Sequence, residues 1–199
     1  MPRPPILAIP PWEEIFRAAN TFESWLERGE KPDHQAVMRD DARNLPVPKV
    51  HADRLRACKR RVNVLVFAED WCPDVVRHVP VLEALKREYP VIQSRYLLRA
   101  DRPEIYERYL TFGGEGVPVF VFLSENWAEC GFWGPMPEDC KRWIARGRAS
   151  GEQYAARIRV FHLYLQDPDR TQVFEDFTRW IAAASSETIE TDGLIVKPK

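Results

Sequence analysis

Cys72 is the residue whose type and position invite chemistry. It follows the apolar, β-branched run from Val62 to Phe67, and Pro73 behind it suits the first position of a helix. A thiol at such a strand-to-helix junction meets free backbone N–H groups and the positive end of the helix dipole. Both favour an anion, so the chemistry implied is that of a low-pKa thiolate, a nucleophile toward disulfides. Neighbouring charges pull both ways: Glu69, Asp70 and Asp74 oppose a thiolate, whereas Arg77 and His78 favour one only if they point back toward the sulfur. An inert cysteine that merely ends the strand satisfies the same pattern, and local physics does not separate the two.

Other chemically capable side chains form no constellation. Cys58, Cys130 and Cys140 make no C-x-x-C pair with one another or with Cys72, so they read as small hydrophobes and not as zinc ligands. His34, His51, His78 and His162 lack metal-ligand spacing. The turn Gly113-Gly114-Glu115-Gly116 lacks the Lys-Ser/Thr of a phosphate loop and precedes a strand. Trp127, Trp133, Trp143 and Trp180 fall on helix and strand periods, which assigns them to the core and not to base stacking. No metal and no cofactor is expected.

The 199 residues carry 29 basic and 30 acidic side chains, a formal net charge of −1, with 45% apolar content. Collagen, coiled coil and wholesale disorder are excluded, and there is no global attraction for a polyanion. The expected partner is a protein or a small thiol or disulfide, without nucleic acid or membrane. No run approaches the roughly 18 apolar residues that span a bilayer, and Met1 to Pro5 lacks the apolar core of a signal peptide, so the cytoplasm is the expected location.

The elements that must position Cys72 follow from periodicity. Residues 1–11 hold five of the 17 prolines and read as an extended leader. Apolar residues from Trp12 to Leu26 recur at steps of three and four and predict one helix, with further helices over Asp33 to Arg43 and Asp53 to Cys58. Val62 to Phe67 is a strand covered on both faces. A helix starts at Pro73 and contains Pro80; a second strand runs from Val91 to Leu98, and Asp101 is expected to cap a helix with Pro103 in its first turn. A hairpin follows, from Val117-Pro118 to Leu123 and from Ala128 to Trp133. Three more helices complete the chain: Pro137 to Arg146; one with Tyr154, Ile158, Phe161, Tyr164 and Leu165 on one face; and one from Val173 to Ala184. This order implies an α/β sandwich in which a parallel crossover precedes an antiparallel hairpin. The expected organisation is a leader and helical cap over 1–60, a core over 61–148, C-terminal helices over 149–184 and a tail over 185–199.

The stretch Phe67-Ala68-Glu69-Asp70-Trp71-Cys72-Pro73-Asp74 resembles the active-site strand and turn of the thioredoxin superfamily, and Gly116-Val117-Pro118 resembles its cis-proline loop. Pro80, eight residues after Cys72, stands where thioredoxins kink their active-site helix. The sequence is most similar to a bacterial family of thioredoxin-like proteins with an N-terminal helical extension, over roughly Trp12 to Ile181. The resemblance implies a thioredoxin-like fold, a mixed sheet of about four strands flanked by helices. It also implies a cis Val117-Pro118 bond beside Cys72, with Trp71, Pro73, Asp74, Val117 and Pro118 contacting an extended peptide.

The departures from that pattern carry as much information. Val75 stands where the resolving cysteine belongs, and Val66 where a buried aspartate often serves as its proton acceptor. A local dithiol cycle is therefore excluded. Three readings follow: Cys72 as a monothiol in disulfide exchange resolved by a second molecule, a binding or chaperone-like module without turnover, or resolution from a distance by Cys58, Cys130 or Cys140. Glu69 and Asp70 argue against glutathione in the first, because carboxylates repel it.

Overall fold

All six residues of β1 (Val62–Phe67) are buried, as a strand paired on both edges and covered on both faces requires. It pairs in parallel with β2 (Ile92–Leu97) and antiparallel with β3 (Val119–Leu123), which in turn pairs antiparallel with β4 (Glu129–Trp133). The sheet order is thus β2-β1-β3-β4. These observations come from a computed structural model that describes residues 7–186. The leader before Leu7 and the tail after Ser186 lie outside the described residues.

Alternation along the strands sorts the layers. Val64 and Val66 lie opposite Phe122 and Phe120, and these rings pack on Phe177 of α9 (Thr171–Ser185) at centroid distances of 5.8 and 4.6 Å. Burial of each such ring contributes about 1.5–3 kcal/mol. The helix that starts after Cys72, α5 (Pro73–Glu88), packs beside α9 and against β2. On the opposite pleat, Phe67 meets Tyr106 of the short α6 (Pro103–Tyr106) at 5.6 Å.

The N-terminal extension breaks where one helix was expected. It forms α1 (Trp12–Ala18) and α2 (Phe22–Leu26), because Asn20 leaves the helix to bond the edge of β2: its N–H donates to the Tyr96 carbonyl at 3.0 Å and the Tyr96 N–H returns to Asn20 at 2.8 Å. Thr21 then restarts the helix by accepting the Ser24 N–H. After α3 (Pro32–Asn44) and α4 (Ala52–Ala57) the chain enters β1. α3 packs along α5.

One further expectation is corrected. Asp101 does not cap α6; its carboxylate closes the preceding turn by accepting the Leu98 N–H at 2.9 Å and pairs with Arg28 at 2.6 Å. Of the apolar residues expected on one face of the next helix, Tyr154, Ile158, Phe161 and Leu165 are exposed. Their helix, α8 (Gln153–Gln166), turns Ala156 and Val160 inward instead, and pairs chiefly with α7 (Glu138–Ser150) in a helical hairpin set apart from the sheet. Gly147 allows that close approach: a Cβ there would lie 2.4 Å from the Ala156 Cβ.

Gly134 sits where β4 crosses the loop before β3. Its φ is +139°, and a Cβ would fall 2.1 Å from the Pro118 carbonyl oxygen. Gly134→Ala should therefore lower stability by about 2 kcal/mol or more, read as a fall in melting temperature of roughly 4–8 °C.

Candidate functional site

The parallel pair β1 and β2 ends at one edge of the sheet, and the antiparallel β3 begins there. Three loops converge at that edge. The β1–α5 loop brings Trp71, Cys72, Pro73 and Asp74, the loop before β3 brings Val117 and Pro118, and the end of β2 brings Arg99. Cys72 occupies the N-cap position of α5, and its Sγ–H donates to the Val117 carbonyl at 3.4 Å. The Val117-Pro118 bond is cis, as expected, and so is Gly134-Pro135, which sequence reasoning missed. Val75 and Val66 are both fully buried in the core.

The sulfur lies at the floor of a cleft of about 720 Å³. Trp71, 46% exposed, forms part of its rim; Pro135 and Met136 come from the exit of β4, and Ile144, Val160 and Phe161 from the α7–α8 hairpin above it. The covering over the cysteine is thus C-terminal. The N-terminal extension acts from behind: the Trp25 indole N–H donates to the Ala68 carbonyl at 3.0 Å, and the Asp70 carboxylate accepts the Lys31 N–H at 2.7 Å and the Gln35 amide at 2.9 Å. His34 Nδ1 lies 2.7 Å from the Asp70 carbonyl.

These contacts redistribute the charges that sequence alone set against a thiolate. Burial works against the Asp70 carboxylate, yet the bonds from Gln35, Lys31 and Glu30 hold its pKa below the usual range. Glu69 is taken up by Arg99, which donates to it from its backbone N–H at 3.1 Å and its Nε at 3.3 Å while reaching Glu115 at 2.5 Å. Arg99, over the Trp71 ring at 5.7 Å, is the cation whose field favours a Cys72 thiolate. Arg77 and His78 do not serve in that way: Arg77 donates to the Asp167 carbonyl and lies over Tyr164, and burial together with Arg77 and Arg170 pushes His78 well below its ordinary pKa.

The balance at Cys72 goes against ionisation. Only 9% of the residue is exposed, and burial raises the thiol pKa, aided by the Asp74 charge. The N–H groups of Val75 and Asp74 and the Arg99 charge oppose the rise without reversing it. The helix N-terminus therefore tempers the burial penalty and does not produce an acidic thiol.

A buried polar chain lies beside the cysteine. Tyr164 of α8 donates its hydroxyl proton to Asp74 Oδ1 at 2.7 Å, so the same oxygen can only accept from His78 Nε2 at 3.3 Å. His78 is accordingly neutral and protonated on Nε2, which leaves Nδ1 as a bare acceptor, without a partner among the described residues. Burial raises the Asp74 pKa, and the Tyr164 bond and Arg77 only moderate it. Cys140, buried on α7, shares this field: burial, then Asp74 and Asp139, push its thiol up to about 11. Neither Arg99 nor Tyr164 was singled out from sequence. Arg99 was recoverable, since the residue after a strand parallel to β1 must reach the same edge; Tyr164, 90 residues from Asp74, carried no local signal.

Tyr164→Phe leaves Asp74 and the His78 N–H unpaired at the join of hairpin and core. It should cost about 1–3 kcal/mol in urea unfolding, whereas Asp74→Asn, which keeps the acceptor and removes the buried charge, should not lower stability at pH 7.

Among the described residues no helix is long and apolar enough to cross a membrane. No curated protein matches the chain. Solved structures do: a protein of unknown function from Pseudomonas aeruginosa is similar at 19% identity with a TM-score of 0.65, covering 88% of this chain and 99% of that one. An HIV epitope scaffold is similar at 18% identity and a TM-score of 0.64, covering 87% and 98%. At these identities the likeness concerns the fold. A family model described as Thioredoxin matches residues 19–152, from the Asn20 edge contact through the sheet to the end of α7. With its four-stranded mixed sheet, its cysteine at the start of α5 and its cis-proline loop beside it, the chain belongs to the thioredoxin family.

Proposed function

We propose that this protein is a thioredoxin-fold binding module that holds an extended protein segment in the cleft above Cys72. The observation that carries this reading is the state of the sulfur, buried at the cleft floor with its proton donated to the Val117 carbonyl. Disulfide exchange needs a thiolate with access to its target, whereas a neutral bonded thiol serves as a contact surface. A segment crossing the cleft meets Trp71, Pro73 and Val117 as apolar contacts. The Val117 carbonyl retains a second lone pair for an incoming N–H.

One observation favours a second reading, monothiol exchange through Cys72. Arg99 and the N–H groups of Val75 and Asp74 all stabilise a thiolate there. In that case a mixed disulfide formed at Cys72 is broken by the thiol of a second molecule, because Val75 cannot attack it.

Insulin reduction separates the two. The wild-type protein and Cys72→Ser should be indistinguishable in that assay, and a wild-type rate clearly above the variant's would establish exchange instead. Val75→Cys supplies the missing thiol three residues after Cys72, on the first turn of α5. It should form a reversible disulfide with Cys72, counted as two thiols lost on oxidation; no disulfide would contradict the geometry described for α5.

A further inference from the structure

The α7–α8 hairpin differs in character from the rest of the chain. Residues 138–166 carry six lysines and arginines against three acids, in a chain whose net charge is −1, and α8 itself has no acidic residue. Along α8 the exposed residues Tyr154 (78%), Ile158 (39%), Phe161 (56%) and Leu165 (62%) recur at steps of four, three and four. They form one stripe about 16 Å long. Phe161 belongs both to this stripe and to the cleft wall, so the two surfaces are continuous.

The acids that face the cleft are already engaged. Glu115 pairs with Arg99 at 2.5 Å, and Asp74 accepts from Tyr164. On the hairpin wall, Lys141 is paired with Glu138 at 2.9 Å, whereas Arg148 makes one bond, to the Phe112 carbonyl at 3.3 Å. Arg157 is exposed, lines the cleft and has no hydrogen bond or ion pair among the described residues. The uncommitted charge at the cleft is therefore cationic.

Resting on the binding-module reading above, we propose that the ligand of this cleft is an extended protein segment in which acidic residues alternate with apolar ones. The carboxylates meet Arg157 and Arg148, and the apolar side chains lie on Phe161 and its stripe. A small anionic thiol could occupy the cleft but not the additional 16 Å of apolar surface, which matches about five residues of extended chain. A second copy of α8 is a poor occupant, since antiparallel pairing about the centre of the stripe sets Arg157 against His162, with no acid to meet either.

The test uses the full chain and two fluorescein-labelled decapeptides, one alternating Glu with Leu, Val and Phe, the other with Lys in place of each Glu. Fluorescence anisotropy should show the acidic peptide binding about tenfold more tightly than the basic one, with the preference shrinking as salt is raised. Arg157→Glu, at an exposed position without partners, should reduce or invert the preference while leaving the melting temperature unchanged. Equal binding of the two peptides, or a preference that Arg157→Glu does not move, would overturn the acidic class and leave the binding module standing. Failure of both peptides to bind would overturn both. Sedimentation as a dimer that Phe161→Asp dissociates would assign the stripe to a second copy and overturn the proposal.

Discussion

Antiparallel pairing of β3 with β1 sets Phe67 opposite Val119, and in that register the loop leaving one strand meets the loop entering the other. Cys72 and Val117 are 45 residues apart in sequence, and their contact exists only because of this pairing. The same register sends Phe120 and Phe122 to α9 and keeps Val64 and Val66 beside them. A slip of one residue would turn those rings to the opposite face and carry Val117 away from the sulfur, so core and site are specified together.

Given that meeting of loops, the chemistry of Cys72 is decided by competition between burial and oriented charge. Helix N–H groups and Arg99 favour the anion, yet burial at the cleft floor prevails. Two of the three carboxylates that the sequence sets against a thiolate are occupied elsewhere: Asp70 serves the loop between α2 and α3, and Glu69 neutralises Arg99. Arg99 is itself shared between Glu69 and Glu115, which limits what its charge can do for the sulfur. The cysteine loop and the cis-proline loop of the thioredoxin fold are both present, while Val75 and Val66 are buried in the core.

Much of the fold was legible because it is written in local periods. The β1 run coincides with the expected strand, the proline positions fix where α5 begins, and the parallel-then-antiparallel order follows from connection lengths. What misled was periodicity without knowledge of the partner. Trp12 to Leu26 reads as one amphipathic helix, but the open edge of β2 offers Asn20 two backbone bonds that no helix pattern encodes. The expected apolar face of α8 is present and exposed, since periodicity records that a face is apolar and not what covers it. At the site, Cys72 was legible from its strand-to-helix junction, and Trp71, Pro73, Asp74, Val117 and Pro118 through the resemblance to thioredoxins; the fold brings them together at one end of the sheet. Tyr164, Arg148 and Arg157 arrive from a hairpin at long sequence separation and had no such signal.

The central claim is that Cys72 is a neutral contact thiol and not a poised nucleophile. Its most direct test is the pH titration of thiolate absorbance at 240 nm, taken as the difference between the wild-type protein and Cys72→Ser. Because burial raises the folded-state pKa, the Cys72 signal should be absent at pH 7 and reach its midpoint above about 8.5, the value of a free cysteine. A midpoint below that value would mean that the helix terminus and Arg99 outweigh burial, and would contradict the account.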